Sequence, residues 1–533
     1  MAVTSGCRQN GTEQENTMRN ILIAAVTILA AAGMIRAEQT CPVRTIPLDS
    51  GWRLPPEARI AGAGGRPVLT VTVPPGESAA RQVVARRTLN LVPYRGHQVE
   101  FIYEVRADRV SRPPEEYNGV KLMLHYKDGE KNRWPNAPRR YSFGSYDWST
   151  VTVRVYFGHN VKDGELLIGL QNSSGRIEIR SVEIRDLGAV SDPYAAPVPL
   201  PENYRAEYTA RISSLPRLRG VMSPNSYHPE DLEELARWNS NLIRWQIKKN
   251  WGGFNADRDI PEFTAWFQTK LDELEKVLNH CRKLGIKVAV DMHGAPGARL
   301  DNFDLAMLHE KKYADAFIAC WEKLAARFRG HPAVWAYDII NEPQQHGAAP
   351  VNYLAIQYRA AAAIRAIDPD VPLIVTCNIG GPDTYRYLKP LPLKDVIYTV
   401  HMYEPISYTH QGISGVAPLI SYPGTIDEKK WDRTMLKKQL EPVRDFQEKY
   451  GARIYVGEFS AVRYAPGAAR WLEDVISLFE EYGWDWSYHA FRESHFWSVE
   501  HVGPDGAHPV PADEDTDRKR VLLRYFEKNE KPE

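Results

Sequence analysis

Beyond Pro201 the chain alternates short apolar runs with long amphipathic stretches, and few folds can be built from that alternation. Eight runs have the length and the β-branched, aromatic character of buried strands: Arg219 to Met222, Leu242 to Gln246, Lys287 to Asp291, Val334 to Ile340, Leu373 to Thr376, Val396 to His401, Ile454 to Val456 and Trp486 to Phe491. Between them lie helical patterns, among them Phe263 to Leu284, Lys311 to Phe328, Val351 to Ile367, Asp432 to Tyr450 and Ala468 to Tyr482. Strands that are apolar throughout must be covered on both faces, and strand and helix in strict succession make a parallel sheet. Eight such units in about 330 residues predict an α/β fold closed into a (β/α)8 TIM barrel with loop insertions, placed at 205–530.

Residues 44–189 are patterned differently. Their apolar period is two, with Gly, Pro, Asn and Asp between short runs. Strands are expected at Val68 to Val73, Val99 to Val105, Val120 to Tyr126, Val151 to Phe157, Glu165 to Leu170 and Ile177 to Ile184, which predicts an all-β jelly-roll sandwich domain before the barrel. Ser191 to Pro201 contains four prolines and reads as a semi-rigid linker, assigned to 190–204.

Residues 1–37 read as a leader and signal peptide: Met18-Arg19 gives a positive start, Ile21 to Ile35 an apolar segment and Ala37 a small residue at the cut. Glu13 and Glu15 precede Met18, which is the expected initiator. The apolar segment is short for a membrane span, so the expectation is export to the periplasm or the outside without stable membrane insertion. Five cysteines are scattered with no close pair, against a zinc knuckle or a disulfide scaffold. Lys+Arg and Asp+Glu both total 67, a balance that supplies no long-range field for nucleic acid or an anionic membrane. The partner expected is uncharged, and nothing in the pattern specifies an oligomeric state.

Barrels place their chemistry at the carboxyl ends of the strands. The fourth run ends in Asn341-Glu342-Pro343 and the seventh in Gly457-Glu458, so two carboxylates share one rim. That pair is the minimum equipment for cleaving a glycosidic bond. The second run carries Arg244, the third ends in Asp291-Met292-His293-Gly294 and the sixth in His401-Met402-Tyr403. Metal hydrolases also use barrels, but the third run lacks the paired histidines that such sites place on one strand, so no metal and no cofactor are expected.

This set resembles glycoside hydrolase family 5, in the clan of retaining (β/α)8 glycosidases, over about 215–505. The resemblance implies a retaining glycoside hydrolase acting on β-linked polysaccharide or oligosaccharide, a plant-type glucan or mannan, through a covalent glycosyl-enzyme. It implies Glu342 as the acid/base and Glu458 as the nucleophile, kept ionised by Arg244 and Tyr403. Asn341 would bond the sugar 2-hydroxyl, and His293 and His401 would line the subsite of the cleaved sugar. An exo-acting glycosidase, a transglycosylase and a noncatalytic glycan-binding protein on the same barrel stay open as alternatives. The family usually ends its eighth strand with a Trp under the cleaved sugar; here His489 stands at that place. The stacking platform is then expected at Trp497 or Trp486, with Trp251 and Trp245 as further cleft candidates. Glu404 and Glu493 are additional rim carboxylates, Glu404 being the first to consider as a sugar ligand. The closing hairpin of the sandwich, Leu166 to Leu170 and Arg176 to Ile184, resembles those of carbohydrate-binding modules; the domain is expected either to bind sugar or to shield or extend the barrel, and Trp134, Tyr141 and Trp148, close together in a loop-rich stretch, suit sugar contacts or hydrophobic packing alike.

Overall fold

The computed structural model describes residues 43–532 apart from 63–66, 77–80, 116, 130, 159, 191–194, 251–252 and 414–418. The expected leader at 1–37 and the start of the expected linker, 191–194, lie outside these residues. The chain divides into two compact units between Ala189 and Val190.

The first unit has ten strands: β1 (Val43–Thr45), β2 (Ala58–Ala61), β3 (Val68–Val73), β4 (Gln82–Asn90), β5 (His97–Val110), β6 (Gly119–Asp128), β7 (Lys131–Arg133), β8 (Gly144–Tyr156), β9 (Asp163–Gln171) and β10 (Gly175–Ala189). One antiparallel sheet runs β2-β3-β10-β5-β8 with β1 on β10, and the other runs β4-β9-β6-β7. Their facing sides close over a core that includes Val71, Phe101, Leu122, Ile168 and Ile177. β4 is absent from the strands that the pattern predicts, and its packing explains why. Val83 and Ala85 enter the core, while Val84 is buried on the opposite face with Met123 and Leu167, which erases the alternation. β5 runs past its predicted end because its charged residues pair across the sheet, Arg106 with Glu178 for one.

The second unit is a closed barrel of β11 (Arg219–Met222), β12 (Leu242–Gln246), β13 (Lys287–Asp291), β14 (Val334–Asp338), β15 (Leu373–Thr376), β16 (Val396–Met402), β19 (Arg453–Phe459) and β20 (Asp485–Tyr488). A small hairpin, β17 (Gly424–Ile426) and β18 (Lys429–Trp431), lies in the loop after β16. All eight barrel pairings are parallel, with Asp291 beside Asp338 and His401 beside Glu458 in register. β14 and β20 stop short of the predicted runs, because the chain leaves the sheet at the rim before Asn341, Glu342 and His489.

Side chains alternate between the barrel interior and the surrounding helices. Inside, Leu242, Ala289, Trp335, Ile374, Ile397 and Tyr455 form an apolar plug, Trp335 and Tyr455 meeting edge to face at 5.1 Å. Outside, Trp245, Val288 and Val290 pack with helix residues such as Phe267, Leu271 and Leu274. The helices start and stop where local chemistry dictates. Asp259 accepts a bond from Glu262 N before Ile260–Leu284, and Gly285 ends that helix at φ 68°, a cap of about 1 kcal/mol and a left-handed turn that suits glycine. The plug closes the barrel below and leaves the polar residues above it for the rim.

Candidate active site

β12 turns Arg244 inward, just above the plug, where its guanidinium has no exposed surface. Nε donates to Asp338 Oδ2 at 2.8 Å, Nη1 to Glu458 Oε1 at 2.7 Å and Nη2 to Asn341 Oδ1 at 3.0 Å. Asp291 Oδ1 stands 3.2 Å from Nη2. A planar fork with fixed donors can serve three acceptors and still lie against the carboxylate of Asp291, which a lysine cannot. Burial, helped by Asp291 and opposed by Arg244, pushes the Asp338 carboxyl up to about 7.

Glu458 ends inside the rim with 7% of its side chain exposed. Besides Arg244 it accepts from Tyr403 Oη, 2.8 Å from Oε2. Burial would raise its carboxyl, but the charges of His401, His489 and Arg244 outweigh burial and hold it well below the usual carboxylate range. Tyr403 shows the opposite response: burial first, then Glu458 and Glu342, push its phenol well up, so it stays a neutral donor.

Glu342 is less enclosed, with 17% of its side chain exposed, and sits at φ 38° just past β14. Its Oε1 lies 2.8 Å from His401 Nδ1, and the same nitrogen is 3.8 Å from Glu458 Oε2. One oxygen of Glu342, one of Glu458 and a ring nitrogen of His401 all lie within 4.8 Å of one another. Gly380 makes room for this group. A Cβ there would be 3.1 Å from Glu342 Cγ and 3.2 Å from His401 Nδ1, and the φ of 79° disfavours any side chain. The Gly380 carbonyl also accepts from His401 N at 2.8 Å.

His293 stands behind Asn341. Its Nδ1 is 2.7 Å from Asp291 Oδ2 and its Nε2 is 3.3 Å from Asn341 Nδ2, so Nδ1–H donates to Asp291 and Nε2 accepts from the amide. Asn341 is thereby held at both ends, by His293 and by Arg244. On the other side a chain of contacts leads outward from Glu458: Tyr403 Oη to His489 Nδ1 at 2.7 Å, His489 Nε2 to Glu493 Oε2 at 2.8 Å and Lys248 Nζ to Glu493 Oε1 at 2.6 Å. Burial would lower the His489 imidazole, but Glu493 and Glu458 raise it above its usual value. The Trp497 ring stands 5.4 Å from His489 and 6.0 Å from Tyr403.

The structure therefore gathers Arg244, His293, Asn341, Glu342, His401, Tyr403, Glu458, His489 and Trp497 at one end of the barrel. Trp486 is a correction. It points outward, is fully buried, stacks on Phe526 at 5.5 Å and donates to Glu480, because the strand period gives the inward position to Ser487, which meets Tyr455 Oη at 2.5 Å. Trp245 likewise packs among the helices, one residue out of phase with Arg244. Trp251 lies outside the described residues. Glu404 faces Ile406 N, Asp383, Lys429 and Asp427. Lys248, Asp338, Gly380 and His410 escape a reading of the sequence. His410, in the loop after β16, packs 4.9 Å from both Tyr403 and Trp497, and burial pulls it down to about 4.

One carboxylate is locked between cations and a phenol, and a more exposed one rests against an imidazole. Their different surroundings suit one to remain ionised and the other to exchange a proton. The same three groups, Glu342, His401 and Glu458, have the spacing to take a metal ion.

A parallel barrel with this pair at its carboxyl rim defines a glycosidase. Residues 210–493 match the family model described as Cellulase (glycosyl hydrolase family 5), and the chain belongs to that family: it is a glycoside hydrolase with a carbohydrate substrate. Endoglucanase C of Acetivibrio thermocellus is 27% identical over 291 residues, covering 49% of this chain and 83% of that protein. Cellodextrinase A of Ruminococcus flavefaciens is 24% identical over 267 residues, covering 49% and 76%. Among solved structures, Cel5A of Thermotoga maritima aligns with 57% of this chain and 97% of its own at 21% identity and a TM-score of 0.46.

Proposed function

We propose that the protein is an exported retaining glycosidase that hydrolyses a β-linked glucan by double displacement. The observation that carries this reading is the meeting of the two carboxylates: an oxygen of Glu342 and one of Glu458 lie within 4.8 Å. Retaining enzymes hold their carboxyls roughly 5–5.5 Å apart, and inverting ones leave a water-sized gap of about 6.5–9.5 Å. Glu458, ionised and aimed by Arg244 and Tyr403, attacks the anomeric carbon. Glu342 gives a proton to the departing oxygen; afterwards, as a carboxylate, it takes one from the water that releases the sugar. His401, against both groups, shifts its hydrogen bond as the charge on Glu342 changes. Asn341, held by Arg244 and His293, has a remaining amide hydrogen to offer the sugar 2-hydroxyl, a bond that strengthens in the transition state.

Glucan is favoured over mannan by the names of the relatives, an endoglucanase and a cellodextrinase. Export rests on the sequence of residues 18–37. The test is hydrolysis of purified β-1,4-glucan, mixed-linkage glucan, mannan and xylan, with the fresh product followed by proton NMR. The reading predicts fastest release from a glucan and the β-anomer first; the α-anomer first would overturn retention, and faster release from mannan or xylan would overturn the substrate.

A further inference from the structure

The outer face of the four-stranded sheet in the sandwich carries a groove of about 640 Å3. Two large aromatic side chains stand on its rim, Trp134 with 53% and Tyr117 with 69% of their surface exposed. The Trp134 ring lies flat on His125, with centroids 3.6 Å apart and planes 9° from parallel, and His125 is itself held by Asn132 at 3.1 Å. The indole is therefore a fixed platform. The floor carries Gln82 and Gln171, opposite each other on β4 and β9, and Asn136, whose oxygen is used by Leu122 N while its amide hydrogens point elsewhere.

The unusual member is Lys121. It is only 3% exposed, its ammonium donates to the Tyr117 carbonyl, and burial pulls it down to about 8. Its neighbour on β9 is Gly169, which adds no side chain beside it. Among the described residues lining the groove there is no carboxylate, and the second charged group, Arg139, is also a cation. A buried ammonium satisfied by a single carbonyl carries an unmet demand for negative charge.

We propose that this groove is a binding site for a glycan chain that bears carboxylates, such as uronic acid units. Trp134 and Tyr117 take the apolar faces of sugar rings, the amides take hydroxyls, and Lys121 takes a carboxylate in a charge-assisted bond. The site is independent of the chemistry in the barrel.

Native affinity electrophoresis of the full chain tests it, with gels containing polygalacturonate, alginate or glucuronoxylan, each beside its carboxyl-reduced form. At least one carboxylated glycan should retard the protein, and carboxyl reduction or added salt should weaken that retardation. Trp134→Ala, a change at an exposed ring, should lower the apparent affinity roughly 10-fold. Lys121→Met should bring binding down to the level of the carboxyl-reduced glycan. Both variants should hydrolyse the barrel's substrate at the wild-type rate. Failure of all three glycans to retard the protein would overturn the proposal, as would equal retardation by the reduced forms, binding to neutral glucan alone, or variants that bind like wild type.

Discussion

Tyr403 Oη and His489 Nδ1 meet at 2.7 Å, and this contact fixes the hydrogens on both side chains. Tyr403 has one hydrogen, and it goes to the ionised Glu458, 2.8 Å away. Nδ1 must then donate to the phenol. Nε2 must donate too, because its partner at 2.8 Å is the carboxylate of Glu493. His489 is accordingly an imidazolium, clamped between Tyr403 and a carboxylate that Lys248 also holds, and its charge bears on Glu458 through the phenol.

The folded-state value of His489 is raised by Glu493 and Glu458. Its contribution is thus complete below the ordinary histidine value of about 6.5 and is lost as pH rises through the raised value. Nitrogen NMR of the imidazole should show both ring nitrogens protonated at about pH 7. Glu493→Gln should yield a singly protonated ring at that pH and move the alkaline loss of kcat to lower pH. A neutral His489 ring in the wild-type enzyme at that pH contradicts the assignment.

Arg244 pairs with three buried carboxylates at once, those of Asp291, Asp338 and Glu458. Arg244→Met would leave Asp291, Asp338 and Glu458 buried around an apolar side chain, and breaking a buried pair in this way costs about 3–5 kcal/mol. Urea denaturation should show that loss, and activity should fall with it. Arg244→Lys keeps the charge but not the fork, so it should recover part of the stability and little of the activity.

Gly380→Ala tests the packing around the acid. The added carbon would meet Glu342 and His401 at 3.1 and 3.2 Å from a backbone at φ 79°. A left-handed non-glycine residue costs about 1–3 kcal/mol, and displacing a reacting group by about 1 Å lowers turnover up to 100-fold. The expected result is a fall in kcat of at least about tenfold with a smaller change in KM. An unchanged kcat would mean that Glu342 has room it does not use.

The architecture was legible where one rule governs one element. β11, β12, β13 and β15 begin and end where the predicted runs do, because each strand is covered on both faces and its apolar residues stand out from the polar loops around it. The two carboxylates were legible because they follow such runs directly. β4 was not, since Val84 faces away from the main core and still becomes buried. Trp486 was misplaced because an apolar run gives the strand but not its phase; the inward position belongs to Ser487. Lys248 and His410 come from loops, where spacing says nothing about which side chains meet. Only the folded chain shows that Lys248 completes a line to Glu458 through Glu493, His489 and Tyr403.

The grouping of Glu342, His401 and Glu458 invites a metal, yet each member has a task in the reaction proposed. Treatment with a strong chelator should leave the rate unchanged. Added zinc should inhibit, by taking the nucleophile and the acid/base together. A loss of activity on chelation that zinc restores would replace this mechanism with a metal-dependent one.

The division of roles between Glu342 and Glu458 is the central claim, and azide rescue tests it most directly. In Glu458→Ala the cavity admits azide to the face from which the nucleophile attacks, and the glycosyl azide formed should have inverted configuration. In Glu342→Ala an activated aryl glycoside departs with little protonation, the covalent intermediate forms on Glu458, and azide then intercepts it to give retained configuration. Proton NMR of the two adducts reads the anomeric coupling. Inverted product from Glu458→Ala with retained product from Glu342→Ala is the predicted pair of results; the reverse pair would show that the roles are exchanged.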